Sequence, residues 1–74
     1  MIVTFKKEVV GLGAKIREAR IQSDEQLTQL AAKAGISTPY WNRIERENLK
    51  ELPEDTLRGI EKALGVDFGV TFPD

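Results

Sequence analysis

The apolar positions change period several times along the chain, and each change marks an element. Val3 and Phe5 alternate with Thr4 and Lys6, the period of two of a strand. Gly11 and Gly13 break that run. From Leu12 the spacing turns helical: Leu12, Ile16 and Ala19 share one face, while Lys15, Arg17, Glu18 and Arg20 take the others. This predicts a first helix over 12–22. Ser23-Asp24-Glu25-Gln26 has the form of a capping box, with two acids placed to face a helix dipole. A second helix is expected from there, carrying Leu27, Leu30, Ala31 and Ala34 inward and stopping at Gly35. Ser37 reads as the N-cap of a third helix, and Pro39 lies in its first turn, where a missing N–H is harmless. Trp41 and Ile44 mark the buried side of this helix, which is expected to run from Thr38 to about Glu47 and end on a left-handed Asn48. Pro53-Glu54-Asp55 opens a fourth helix, with Leu57, Ile60, Ala63 and Leu64 on one face and Gly65 at its end. Val66, Phe68, Val70 and Phe72 then alternate with Asp67, Gly69 and Thr71, a second strand pattern that Pro73 stops.

The expected fold is therefore mainly α: a compact four-helix domain with short β-strands at the N- and C-termini. One domain is expected over 1–74, with an N-terminal strand extension over 1–11, a helical core over 12–65 and a C-terminal strand over 66–74. The two strand segments are not stable as an isolated ribbon in water. They are expected to pair antiparallel with each other, or across a dimer.

The informative unit spans about 26–47. Two short helices joined by a glycine-containing turn make a helix-turn-helix. Ala31 and Ala34 keep the first helix small where another crosses it, Gly35 permits the reversal, and Ile36 anchors the second helix. A second helix buried on one side and polar on the other is suited to a DNA major groove.

From Leu12 to Val66 the chain resembles the Cro and phage-repressor type of helix-turn-helix domain, the XRE family. The residues that carry the resemblance are Ile16-Arg17 with Arg20, then Leu30-Ala31-Ala32-Lys33-Ala34-Gly35-Ile36-Ser37 across the turn, Arg43-Ile44-Glu45-Arg46, and Ala63-Leu64-Gly65-Val66. The resemblance implies that the exposed side of helix 3 reads bases, which places Thr38, Pro39, Asn42 and Arg43 at base edges. Arg43 is suited to guanine O6 and N7, Asn42 to adenine or a phosphate, Thr38 to a thymine methyl, and Pro39 to apolar contact. Ser37, Tyr40, Arg46 and Lys50 are expected phosphate ligands, which position a protein without specifying sequence. The resemblance also implies a structural ion pair between Arg20 and Glu45. Some positions depart from the family's pattern. Leu27 stands where a phosphate-binding glutamine is frequent, leaving Gln26 or Thr28 for that contact. Glu25 replaces a usual hydrophobe, consistent with a helix 2 that starts early. Glu47 replaces the glycine that commonly follows helix 3, and the connection through Asn48-Leu49-Lys50 is longer than usual.

Composition narrows the chemistry. The chain has 74 residues and no cysteine or histidine, so disulfides are excluded and neither a zinc site, a cofactor nor an enzyme is expected. No apolar run approaches a membrane span, and Lys6, Lys7 and Glu8 interrupt anything resembling a signal peptide, so the cytoplasm is the expected location. Net charge is −1, but unevenly distributed: 1–50 hold nine basic and six acidic residues, net +3, and 51–74 hold two and six, net −4. A field that changes sign along the chain permits one basic face. The expected function is that of a small DNA-binding transcriptional regulator, a repressor acting as a homodimer on a near-palindromic double-stranded operator. The alternatives are an antitoxin that autoregulates its operon and binds a toxin protein, and a protein-interaction module built on the same fold.

Overall fold

Every helix predicted from the spacing forms, and each contributes to one apolar centre. The computed structural model describes residues 2–4 and 10–70. In chain order these form β1 (Ile2–Thr4), α1 (Leu12–Gln22), α2 (Leu27–Ala34), α3 (Thr38–Glu45), β2 (Glu51–Pro53) and α4 (Glu54–Leu64). Leu12 and Ile16 of α1, Leu30 and Ala31 of α2, Trp41 and Ile44 of α3, and Leu57 and Ile60 of α4 close on one another together with Leu52 of β2. Full burial of each large side chain contributes about 1.5–3 kcal/mol. α2 packs chiefly against α4. The approach there is close enough that a Cβ on Gly59 would lie 2.9 Å from the Ala34 carbonyl oxygen. Gly35 and Gly65 end α2 and α4 at φ 76° and 69°, the left-handed stops their positions require.

The structure differs from the sequence expectations at three junctions. Ser23 does not cap α2. Its hydroxyl donates to the Arg20 carbonyl at 2.8 Å and closes α1, Asp24 is left-handed at φ 64°, and α2 begins only at Leu27, with Gln26 as an N-cap that makes no side-chain bond. The two acids thus lie outside the first turn of α2; Glu25 instead forms an exposed ion pair with Lys33. α3 ends at Glu45 rather than near Glu47, and the left-handed residue after it is Glu47, at φ 54°, not Asn48.

The third difference concerns the strands. β1 pairs antiparallel with β2, in register Ile2 with Pro53, Val3 with Leu52 and Thr4 with Glu51. Leu52 is fully buried, so the three residues ahead of α4 are drawn into extended backbone and offer β1 an edge. Residues 66–70 of the expected C-terminal strand are not a strand. The Asp67 carboxylate accepts the Gly69 N–H at 2.8 Å and Gly69 is left-handed at φ 74°, which breaks the extended run. The remainder of that expectation, 71–74 with Phe72, lies outside the described residues, as does Phe5. Arg58 and Glu61 of α4 fix the tail instead. Glu61, 7% exposed, accepts Arg58 Nη1 at 2.7 Å and the Phe68 N–H at 2.8 Å, while Arg58 Nη2 donates to the Val70 carbonyl at 2.9 Å. Phe68 and Val70 are thereby laid against the core.

α3 is tied to α1 through one carboxylate. Glu45 accepts Arg20 Nε at 2.6 Å and Nη2 at 3.0 Å, and its Oε2 also accepts the Trp41 indole N–H at 2.6 Å. The hydrogen bond to Glu45 holds the Arg20 guanidinium above its ordinary value, with burial opposing it. A raised arginine contributes its stabilisation throughout the neutral range and loses it only as pH climbs through that raised value, so substitution rather than titration is the practical test. Among the described residues no buried side-chain nitrogen or oxygen lacks a partner.

Substitutions should rank accordingly. Alanine in place of a helical glycine gains about 1 kcal/mol of propensity, whereas overpacking against backbone costs about 1–3 kcal/mol. Gly59→Ala is expected to lose stability on balance. Gly13→Ala should lose more, because a Cβ there meets two carbonyl oxygens, at 2.4 Å (Glu45) and 2.9 Å (Ile44). Urea unfolding midpoints check both the sign and the order. Glu45→Ala leaves a half-buried guanidinium and a buried indole N–H without their acceptor, and should cost about 3 kcal/mol. A midpoint within error of the parent for Glu45→Ala would contradict the central place given to this carboxylate.

Candidate nucleic-acid interface

The turn between α2 and α3 is built from local chemistry. Gly35 donates back to the Ala32 carbonyl and Ile36 to the Ala31 carbonyl, closing α2. Ser37 takes extended backbone, and its hydroxyl accepts the Tyr40 N–H at 3.2 Å. This starts α3 immediately, with Pro39 in its first turn. Ile36 is half-buried and packs on the core, so α3 leaves the turn with its orientation already set.

At ~100° per residue, burial divides α3 cleanly. Trp41 and Ile44 are fully buried. Pro39, Arg43 and Arg46 are exposed and fall in one ~60° sector on the opposite side. Asn42 and Tyr40 flank that ridge and are half-buried; Thr38, also half-buried, lies closer to the Glu45 side. Of the four base-reading candidates, then, Pro39 and Arg43 point fully to solvent while Asn42 and Thr38 stand at its edge. Among the described residues no carboxylate pairs with Arg43 or Arg46.

The phosphate candidates are spread over three segments. Gln26 and Thr28 are exposed at the start of α2, whose first turn has no side-chain cap. Ser37 is exposed at the start of α3, although its hydroxyl oxygen already accepts a backbone N–H. Lys50 is exposed in the connection to β2. Arg20 and Glu45 lie away from the exposed Pro39, Arg43 and Arg46 ridge, joined by the two bonds described above.

Sequence reasoning did not single out Arg58 and Glu61, which hold the tail, or the role of Glu47. A signal existed for Glu61: with Leu57, Ile60 and Leu64 it shares the inward phase of α4, and a lone acid in an apolar stripe calls for a buried partner. Elsewhere on the surface, an open hollow of about 390 Å³ is lined by Lys15, Glu18, Ala19, Gln22, Asp67 and Phe68. Among the described residues no group of three or more acidic, histidine or cysteine side chains is arranged to hold a metal ion, and no helix is long and apolar enough to cross a membrane.

The chain is similar to a protein named as an uncharacterized HTH-type transcriptional regulator in Mycobacterium tuberculosis strain CDC 1551 / Oshkosh, and to one of the same description in strain ATCC 25618 / H37Rv. Each is 37% identical over 60 residues, covering 81% of this chain; the chain spans 42% of the length of either relative. No solved structure matches it. The family model described as helix-turn-helix matches residues 16–70, from the middle of α1 to the tail fixed by Arg58, and the chain belongs to that family, of the Cro and phage-repressor type.

Proposed function

We propose that this chain binds double-stranded DNA in a sequence-specific manner as a transcriptional regulator, with α3 entering the major groove. The observation that carries this reading is the exposed Pro39, Arg43 and Arg46 ridge opposite buried Trp41 and Ile44, with both guanidinium groups free of carboxylates among the described residues. A guanidinium on such a ridge can address guanine O6 and N7 through two hydrogen bonds. Asn42, at the ridge's flank, and Thr38, farther round toward the Glu45 side, are second contacts to bases. Gln26, Thr28, Ser37, Tyr40, Arg46 and Lys50 supply phosphate contacts, those at the start of α2 supported by uncapped backbone N–H groups and the positive end of a helix dipole.

The finer reading is a repressor that acts in the cytoplasm by occupying a near-palindromic operator as a homodimer. Two half-sites about 34 Å apart match a two-fold dimer of such a unit. With neither cysteine nor histidine the chain lacks the strongest side-chain nucleophile and the commonest general base, and we propose a binding protein and not an enzyme.

Selection of bound duplexes from a random pool is the direct test, and enrichment of a palindrome is the expected result. A steep fall in affinity for random duplex with rising salt is expected alongside it. Absence of binding at any salt would favour an interaction module instead. On the selected site, Arg43→Ala should lose ~1–3 kcal/mol of affinity and relax preference at one base pair. Lys50→Ala should weaken all duplexes about equally and lower the salt slope by about one. Competition binding across single-base variants of the site distinguishes the two substitutions; unchanged base preference in Arg43→Ala would remove Arg43 from the base readers.

A further inference from the structure

Glu47, just beyond α3, has left-handed backbone at φ 54°, a conformation disfavoured for any residue with a Cβ. A glycine would adopt it freely. What the glutamate adds is a carboxylate that crosses to α1 and accepts the Gly13 N–H at 3.0 Å. α1 has no cap of its own, because its N-cap is Gly11, which makes no side-chain bond. The first-turn donors of a helix need such acceptors, and a negative charge there also faces the positive end of the dipole. Gly13 belongs to the same contact: a Cβ at this position would lie 2.8 Å from Glu47 Cγ.

Two carboxylates therefore run from the exit of α3 to α1. Glu45 reaches Arg20 in the last turn, and Glu47 reaches Gly13 in the first. Seven residues of helix separate the two anchor points, roughly 10 Å along the axis. A single attachment would leave α3 able to pivot on α1, and the second removes that freedom. We propose that Glu47 is a positioning residue for DNA reading: by capping α1 from the far side it sets the rotation of α3, and hence the direction in which the Pro39, Arg43 and Arg46 ridge meets a groove. This rests on the DNA-binding reading above.

Two variants test it. Glu47→Gly removes the cap while relieving the backbone, so the protein should stay folded with a melting temperature near the parent's. Glu47→Gln keeps an oxygen acceptor without the charge. In E47G the Gly13 amide should exchange faster, and residual dipolar couplings should report a changed angle between α1 and α3. The ratio of affinities for the selected duplex over random duplex, at one salt concentration, should fall about tenfold in E47G and recover most of the way in E47Q. Loss of one negative charge strengthens binding to both duplexes alike, so this ratio is insensitive to it. Parental couplings in E47G would overturn the role of Glu47, and altered couplings with a parental ratio would overturn its bearing on DNA. A parent protein that selects no duplex would overturn the DNA reading and the use proposed for the cap, while the couplings still report separately whether Glu47 sets the helix angle.

Discussion

The Glu45 carboxylate is the point on which the placement of α3 depends. It lies on the inner side of α3, its side chain is 5% exposed, and both of its oxygens are engaged, by the Arg20 guanidinium and by the Trp41 indole N–H. Taking a carboxylate out of water is costly unless donors replace the water. Here two of the replacing bonds come from another helix and one from the preceding turn of the same helix, so the carboxylate is satisfied in one arrangement of α1 and α3. Trp41 is fully buried for the same reason: its ring fills the core while its single donor has an acceptor at the core's edge. A purely apolar contact in this place would tolerate rotation of α3 by several degrees. Three directed hydrogen bonds on one carboxylate narrow that range, and the solvent-facing ridge inherits the restriction.

Much of this was legible in the sequence because it depends on local rules. The bounds of α1 and the end of α4 follow from periodicity and glycine, and the start of α3 follows from Ser37 and Pro39. The burial of Trp41 follows from its phase with Ile44. The errors share a different origin: in each, one side chain had two uses and tertiary structure chose between them. Ser23 was equally suited to open α2 or to close α1; its hydroxyl donates to the Arg20 carbonyl while accepting the Glu25 N–H, and with Asp24 left-handed and Gln26 extended α2 begins only at Leu27. The alternation of Val66, Phe68 and Val70 was equally suited to a strand or to a tail held by α4. Glu61 and Arg58 decide for the tail, since they claim the Phe68 N–H and the Val70 carbonyl that a strand partner would need.

Pairing of β1 with β2 was illegible for a related reason. Glu51-Leu52-Pro53 is too short to show a period, and its extended form follows from the burial of Leu52. That burial is a consequence of where α3 ends and where α4 begins, which no window of a few residues contains. The left-handed residue after α3 shows the same limit. Asparagine has the better intrinsic tolerance for that conformation, yet Glu47 adopts it, because the carboxylate it thereby aims at Gly13 offsets the strain.

The charge of the whole chain is a poor guide to what this surface can bind. A net charge of −1 suggests indifference to a polyanion, and the excess of acid in 51–74 makes the average worse. Those acids are, however, largely committed within α4 and its tail. Glu54 and Asp55 stand in the first turn of α4, where a helix dipole favours them, Glu61 is buried against Arg58, and Asp67 holds a turn. On α3 the balance is reversed: its acid, Glu45, is turned inward and neutralised, while Arg43 and Arg46 face solvent unpaired among the described residues. With a screening length of about 8–10 Å at ordinary salt, a phosphate approaching α3 responds to the charges on that ridge far more than to the sum over the chain. Folding thus converts a nearly neutral sequence into one locally basic helix face, which is the electrostatic condition that the proposed function requires.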